Sequence, residues 1–218
     1  MKNIKKALLI CLCVAAIVGA TIMGTLAWLT DQSTVKNTMT VGKVDITVDE
    51  EKVNPDGTSK DDGRTEEGNE YHLIPGQTYL KDPTMTVHAG SESSYVRMRL
   101  TLNCKKQLDA IFAPGIQLTD IFQGYDPDVW VFETETADTD LNTVTYEFRY
   151  HTIVEPNGQD DVPLEALFDS FTIPGEVTGT DLESIKDLTI TVKGEAIQTL
   201  GFDSVDAAWA AFEQQTNG

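Results

Sequence analysis

The sequence predicts an all-β fold, a jelly-roll-like β-sandwich with short helical decorations and a C-terminal helix, preceded by a signal peptide helix. Three observations support this prediction. Many short segments alternate apolar and polar residues, glycine- and proline-containing turn signals recur between them, and an uncharged apolar run follows lysines near the start. We therefore expect a signal peptide over 1–27, an N-terminal segment over 28–42 and one jelly-roll-like domain over 43–218.

The start of the chain has the order of a secretory signal. Lysines precede an apolar run that extends to about Met23, and small residues follow it. We predict cleavage after Ala27, which would make Trp28 the first mature residue. The alternative is an uncleaved anchor, because the apolar run is long enough to span a bilayer. With cleavage, the protein would be secreted and would meet the membrane only through its signal peptide.

The charge of the chain bears on its partners. The formal net charge is -19, which makes nucleic acid an improbable partner and keeps like chains apart unless salt or cations screen them. Of the three cysteines, only Cys104 lies in the mature part, so the sequence offers no intramolecular disulfide there. We expect Cys104 to be a small buried residue at the end of a strand, with an intermolecular disulfide as the alternative.

Two segments of the first half predict strands. Over 41–49, Val44, Ile46 and Val48 alternate with polar residues, whereas 50–70 is polar and predicts a solvated loop or hairpin tip outside the core. Over 95–104, apolar residues alternate with a polar face that carries Arg97 and Arg99. We expect these arginines to pair with carboxylates of a neighbouring strand, with an anion site as the alternative.

The second half predicts a hairpin, short helices and a final helix. Segments 129–136 and 144–154 are rich in aromatic and β-branched residues and flank an acidic turn, which indicates a β-hairpin. Segment 108–122 is interrupted by a Pro-Gly pair and suits one or two helical turns, and 188–196 reads as a late strand. Segment 203–215 predicts a helix that is capped by Asp203 and packs Val205, Trp209 and Phe212 on the sheet.

The sequence contains no recognisable catalytic constellation. His72, His88 and His151 form no His-Glu-x-x-His pair, and the chain has neither a phosphate-binding glycine loop nor a Gly-x-Ser-x-Gly motif. Acidic turns such as 56–62, 138–140 and 160–161 lack the ligand spacing of a calcium loop, and solvated turns are the preferred interpretation. We accordingly predict no catalytic residue, no cofactor and no metal site.

Several motifs resemble those of one family of exported proteins. The stretch TLAWLTDQSTVKNTMTVGKVDITVDE, which begins at Thr25, is similar to the cleavage region and first strand of the TasA and camelysin (CalY) proteins of Gram-positive bacteria. Trp28 stands where that family more often has tyrosine. Further on, LIPGQTYLKDPTMTVHAG, SYVRMRL and AIQTLGFDSVDAAWAAF also resemble family segments, whereas about 104–187 matches only in its strand-like character.

The resemblance implies a function for the N-terminal segment. Proteins of this family are processed by a SipW-type signal peptidase and polymerise into fibres of the biofilm matrix, where the N-terminal segment of one subunit completes a sheet of the next. The corresponding donor strand here covers 29–41, and its residues are Leu29, Thr30, Asp31, Val35, Met39 and Val41. The alternatives are a camelysin-like metalloprotease, which the missing zinc motif disfavours, and a monomeric surface-binding module at the cell surface.

Overall fold

The computed structural model describes residues 43–112 and 115–216. The predicted signal peptide, its cleavage site and the predicted donor strand lie outside the described residues. The described strands are β1 (Ile46–Val53), β2 (Ser59–Thr65), β3 (Thr78–Leu80), β4 (Thr84–Val87), β5 (Ser94–Leu102), β6 (Phe122–Gln123), β7 (Trp130–Asp138), β8 (Thr143–Tyr150), β9 (Val162–Pro163), β10 (Ser170–Thr172) and β11 (Ile190–Gln198). The described helices are α1 (Lys105–Ile111), α2 (Leu118–Ile121), α3 (Gly179–Ser184) and α4 (Val205–Thr216).

The strands form three antiparallel sheets, so the predicted all-β class is confirmed. Sheet I has the strand order β2-β1-β4-β9, sheet II has the order β11-β5-β8-β7, and sheet III has the order β3-β10-β6. The long strands of sheet II pair over almost their whole length, because β5 lies between β11 and β8 in continuous register. The helices are short connections, apart from α4 near the end of the chain.

The main hydrophobic core of the described residues contains side chains from all three sheets. Met85 of β4, Met98 of β5 and Phe171 of β10 are almost completely buried in it. Sheets I and II are in close contact at Gly194 of β11, where a Cβ atom would collide with the side chains of Met85 and Val48. A glycine in a strand often marks such a close approach, and here it allows β11 to lie against sheet I.

The predicted hairpin is confirmed as β7 and β8, joined by a turn in which Asn142 adopts a positive φ of 56°. Its aromatic residues form the expected cross-strand pairs. The ring centroids of Trp130 and Tyr150 are 5.0 Å apart, and those of Phe132 and Phe148 are 5.9 Å apart, both with edge-to-face geometry. These aromatic residues pack the sheet and its edge.

The prediction for 50–70 was wrong in part. This segment continues β1 to Val53, which is buried in the core, and then returns as β2. The pairing depends on polar contacts: the guanidinium of Arg64 donates to Asp49 at 2.7 Å and to Asp82 at 2.6 Å. A strand held by polar contacts on an exposed edge shows no apolar alternation, so the sequence pattern did not reveal it.

The final helix is confirmed, but its predicted cap was wrong. The Ser204 hydroxyl, not the Asp203 carboxylate, accepts the hydrogen bond from the Ala207 amide at 3.2 Å. Trp209 is buried on the outer face of sheet II in a small cluster with Ile197 and other apolar side chains. Cys104 packs against the core but is only half-buried, and it lies just after β5 in a left-handed conformation before α1, so the prediction of a buried residue at the end of a strand was wrong in part.

Candidate functional site

Strand β1 of sheet I and strand β11 of sheet II meet along one side of the described domain, where Val48 lies against Gly194. We call this region the seam and define it by the half-buried side chains of Ile46 and Val48 on β1 and of Ile190, Val192 and Ala196 on β11. All of them pack against the core, yet none is fully covered. By contrast, the neighbouring inward side chains of β5 are buried. The seam is therefore an incompletely closed margin of the sandwich.

The hydrogen-bond pattern of β11 determines which backbone groups face the seam. Just beyond one end of β11, the Thr199 amide donates to the Ser93 carbonyl at 2.9 Å. Beyond the other end, the Asn103 amide donates to the Thr189 carbonyl at 3.4 Å. Bonded positions alternate along an antiparallel strand, so odd-numbered residues of β11 bond to β5 and even-numbered residues turn their N–H and C=O groups outward. The outward residues are Ile190, Val192, Gly194, Ala196 and Gln198.

The same reasoning applies to the first half of β1. The His88 amide donates to the Asp45 carbonyl at 2.9 Å, so odd-numbered residues of β1 bond to β4. The backbone groups of Ile46 and Val48 therefore point away from β4. On that side β2 pairs with β1 only from Glu50 onward, so the first half of β1 has no strand partner among the described residues. Two unpaired strand edges thus border one apolar margin.

A cavity of about 190 Å³ lies at the β2 end of the seam, between β1, the turn after β2 and the start of β11. Its lining includes the buried ion pair between the Lys81 ammonium and the Glu50 carboxylate, together with Glu66 and Glu67 of the turn. The Glu50 and Lys81 side chains are both about 7% exposed, so each charge is stabilised by the other rather than by water. The seam is therefore apolar along its length and acidic at this end.

The other long free edge, along β7, has a different chemical character. Every residue of β7 after Trp130 is exposed, and a bulge interrupts its register between Phe132 and Thr134. Glu133 and Glu135 place carboxylates along this edge. Bulges and charged side chains are the usual protection of an edge strand against pairing with another chain. Strand β11 has no bulge in its register with β5, and its charged residues, Lys193 and Glu195, lie on the face away from the core, whereas its inward side chains along the seam are aliphatic.

The predicted pairing of the two β5 arginines is confirmed. Arg97, which is 2% exposed, donates to Glu195 of β11 at 2.6 Å and to Glu147 of β8 at 3.3 Å. Arg99 donates to Glu147 at 3.0 Å, and both arginines also bond to Glu213 of α4, which sequence reasoning did not identify. The alternative of an anion site loses support, because these guanidinium groups already face carboxylates.

This ion cluster lowers the pKa of two carboxyl groups. Burial alone would raise the pKa of Glu195, but hydrogen bonds from Lys193 and Arg97 outweigh burial, and the pKa lies below its ordinary value of 4.5. The hydrogen bond from Arg97 is the main reason why the pKa of Glu213 is also lowered. Both carboxylates are therefore held in the charged form, and Glu213 attaches α4 to sheet II through the two arginines.

The predicted site residues are not brought together within the described part of the chain. Ala27, Trp28, Leu29, Thr30, Asp31, Val35, Met39 and Val41 all lie outside it. Among the described residues, no group of three or more His, Cys, Asp or Glu side chains is arranged to hold a metal ion. The described helices include none that is both long and apolar enough to cross a bilayer.

We compared the chain with protein-family models, with curated proteins and with solved structures, and none of the three comparisons gave a match.

Proposed function

We propose that the protein is a secreted structural protein of the cell surface or biofilm matrix, and that its copies assemble into fibres by strand complementation. In this proposal the chain is exported by its signal peptide, a SipW-type peptidase cleaves it between Ala27 and Trp28, and the new N-terminal segment of one copy pairs with the seam of another. The observation that carries the proposal is the seam itself, where outward backbone groups of β11 border a half-buried apolar margin.

The N-terminal segment has the pattern that such a margin requires. In an extended strand alternate side chains face opposite sides, which places Leu29, Val35, Met39 and Val41 on one face, together with the polar Asp31, Ser33 and Asn37. The other face carries threonine, glutamine and lysine, including Thr30. The four apolar side chains of the first face would cover the aliphatic side chains of the seam, and the second face would remain in water. Asp31 precedes the most apolar part of this strand and would lie near its outer end.

The connection of the segment to β1 favours exchange between copies. The segment continues directly into the described domain at Lys43, so pairing with its own seam requires a reversal of direction close to Gly42. Entry into the seam of a second copy requires no such turn. Two four-stranded antiparallel sheets are the architecture of a jelly roll, which we propose for this domain. In that architecture an added strand would extend the β11 edge of sheet II.

We propose a structural rather than an enzymatic function. No described residue favours a metalloprotease or a monomeric surface-binding module over fibre assembly, so neither alternative is carried further. The strong negative charge of the chain also leads us to expect that assembly accelerates with salt, because screening weakens repulsion between copies.

The test compares a chain that starts at Trp28 with one that starts at Lys43. We expect filaments by electron microscopy from the longer chain only, and we expect a labelled 28–42 peptide to bind the shorter chain. Val192→Asp places a charge in the seam and should abolish peptide binding. Phe132→Asp places the same charge beside the β7 edge and should leave binding intact. Filaments from the shorter chain, or equal loss of peptide binding in both variants, would refute the proposal.

A further inference from the structure

The carboxylate of Glu50 on β1 joins two side chains that come from other parts of the chain. Its Oε2 atom accepts a hydrogen bond from the ammonium of Lys81, and its Oε1 atom accepts one from the side-chain amide of Asn69 at 2.8 Å. Lys81 lies between β3 and β4, whereas Asn69 lies between β2 and β3. Glu50 and Lys81 are buried, and Asn69 is half-buried. A lysine and a carboxamide are therefore held on one buried carboxylate.

The carboxamide of Asn69 is fixed in orientation by backbone groups of β1. Its Oδ1 atom accepts a hydrogen bond from the Val53 amide at 2.9 Å, and its Nδ2 atom also donates to the Glu51 carbonyl at 2.8 Å. An N–H thus faces the oxygen and two acceptors face the nitrogen, so the two atoms are distinguished by their partners. The Val53 N–H is placed to stabilise negative charge that develops on Oδ1 when a nucleophile adds to the side-chain carbonyl carbon.

Aromatic side chains limit the access of water to this group. The ring of Tyr71 packs against Tyr79 and Phe171 of sheet III, with centroid distances of 5.7 Å and 5.0 Å. Burial, and then the negative charge of Glu50, raise the pKa of the Tyr71 hydroxyl above its ordinary value of 10.0. The Tyr71 hydroxyl and the Glu50 carboxylate therefore share a poorly hydrated environment, which favours neutral groups over charged ones.

We propose that this cluster is a site of covalent self-modification, at which Lys81 and Asn69 form an intramolecular isopeptide bond with Glu50 as the catalytic acid and base. Transfer of a proton from the Lys81 ammonium to Oε2 of Glu50 turns the ion pair into a neutral amine and a neutral acid. The amine Nζ then adds to Cγ of Asn69, and the bond between Cγ and Nδ2 breaks.

The reaction balances without an oxidant or a second reactant. One of the three ammonium protons of Lys81 stays on the new amide. The other two pass through Glu50 to Nδ2 of Asn69, which leaves as an ammonium ion, and Glu50 returns to its carboxylate form. The cavity of about 190 Å³ at the end of the seam is lined by Glu50, Lys81 and Gly68, so it gives the leaving group a path to water.

The position of Glu50 favours Asn69 over Glu50 itself as the group that Lys81 attacks. Glu50 contacts both the entering and the leaving nitrogen, which is the position of a proton shuttle. Its negative charge also repels the electron pair of an amine, whereas the carboxamide of Asn69 is neutral. Holding both reactants on one group removes most of the entropic cost of bringing them together.

The bond would act as a staple in a domain whose described part contains one cysteine, Cys104, and that cysteine is free. It would close the loop between residues 69 and 81, which contains β3. A covalent loop lowers the conformational entropy of the unfolded chain and so stabilises the folded one. The bond forms within one copy, so it does not depend on the proposed strand exchange.

Peptide mapping of the full chain by mass spectrometry tests the bond directly. Trypsin cuts after lysine and arginine, and Lys81 is the only such residue between Arg64 and Arg97. We expect digestion of the denatured protein to give one peptide, 65–97, that is uncut after Lys81 and lighter than its sequence by one ammonia. Without the bond, digestion gives the separate peptides 65–81 and 82–97 at their sequence masses, and this result in the wild-type protein would overturn the proposal.

Two other products are distinguished by the same map. Cyclisation of Asn69 on its own backbone also releases ammonia but leaves Lys81 open to trypsin. A bond from Lys81 to Glu50 releases water and joins peptide 44–52 to this region. Either product in place of the bridged 65–97 peptide would overturn the proposal.

Variants assign the three functions. Lys81→Arg, Asn69→Ala and Glu50→Gln should each have the mass of the unmodified sequence, whereas Lys52→Arg, the same kind of substitution elsewhere on β1, should keep the loss of one ammonia. A bridged peptide in Glu50→Gln would contradict the function assigned to Glu50. Loss of the bridge in Lys52→Arg would contradict the assignment to Lys81. The wild-type map decides whether the bond exists, even if a variant does not fold.

Discussion

The guanidinium carbon of Arg97 lies 4.1 Å from the ring centroid of Trp209, so a strand of sheet II and the final helix are joined by a buried cation–π contact. Phe212 approaches the same guanidinium at 5.2 Å. The carboxylates of Glu195 and Glu147 form ion pairs with the guanidinium of Arg97. Arg97 is therefore the centre of the contact between α4 and the strands beneath it.

Replacement of Arg97 should destabilise the domain more than replacement of Arg99. Arg97→Met leaves buried carboxylates short of a partner, and we expect the free energy of unfolding to fall by about 3 kcal/mol. The Arg99 side chain is 28% exposed, so water can hydrate the carboxylates that Arg99→Met leaves without this partner. We expect the free energy of unfolding to fall by about 1 kcal/mol in that variant. Urea denaturation of both variants measures the difference. Equal losses would show that burial of Arg97 does not control the cluster.

The domain should lose stability as the pH falls through the acid range. The pKa values of Glu195 and Glu213 are lowered below their ordinary value of 4.5 in the folded state. Their contribution is therefore present above about pH 4.5 and is lost as the pH falls through the lowered values. Thermal unfolding followed from pH 7 to pH 3 measures this loss. The midpoint should fall less steeply for Glu213→Gln than for the wild-type sequence, and parallel curves would contradict the assignment.

Gly194 should not tolerate a side chain. A Cβ atom at this position collides with the side chains of Met85 and Val48, and the obstruction lies between sheets I and II. We expect Gly194→Val to lower the free energy of unfolding by about 2 kcal/mol through overpacking. Gly179→Ala is the control, because no atom lies within 4 Å of its Cβ position and it begins a helix. Similar stabilities for the two variants would mean that the sheets do not touch there.

Removal of charge from the β7 edge should promote uncontrolled association. Glu135 interrupts an exposed strand that already presents Phe132, which is 48% exposed. We expect Glu135→Val to produce amorphous aggregates detected by light scattering, whereas Glu66→Val, which removes a carboxylate from the turn after β2, should not. Soluble behaviour of both variants would remove the argument that β7 is a protected edge.

Local pattern predicted much of this fold. The β7–β8 hairpin and α4 followed from side-chain periodicity, and the pairing of Arg97 and Arg99 followed from their position on the polar face of β5. These features depend on residues close together in sequence. Strand β2 was not predicted, because it is held by Arg64 contacts to residues far from it in sequence. Alternation of apolar and polar residues reveals a strand only where one face is buried, and the residues of β2 are largely exposed.

The candidate site could not be located from the sequence in the same way. The strands that border it were predicted at about 41–49 and 188–196, and the alternation predicted for the first agrees with the half-buried Ile46 and Val48 of β1. Which strand lies at the edge of a sheet depends on long-range pairing, which alternation does not encode. The unpaired backbone groups of Val192 and Ala196 became evident only from the register between β11 and β5.

Amide hydrogen exchange at single-residue resolution, compared before and after assembly of the chain that begins at Trp28, tests the central claim most directly. The claim is that β11 accepts a strand from another copy. The account predicts that the outward amides of Val192, Gly194 and Ala196 exchange quickly in the monomer and become protected in filaments, while amides along β7 gain no protection. Filaments that protect β7 and leave these amides unchanged would contradict it.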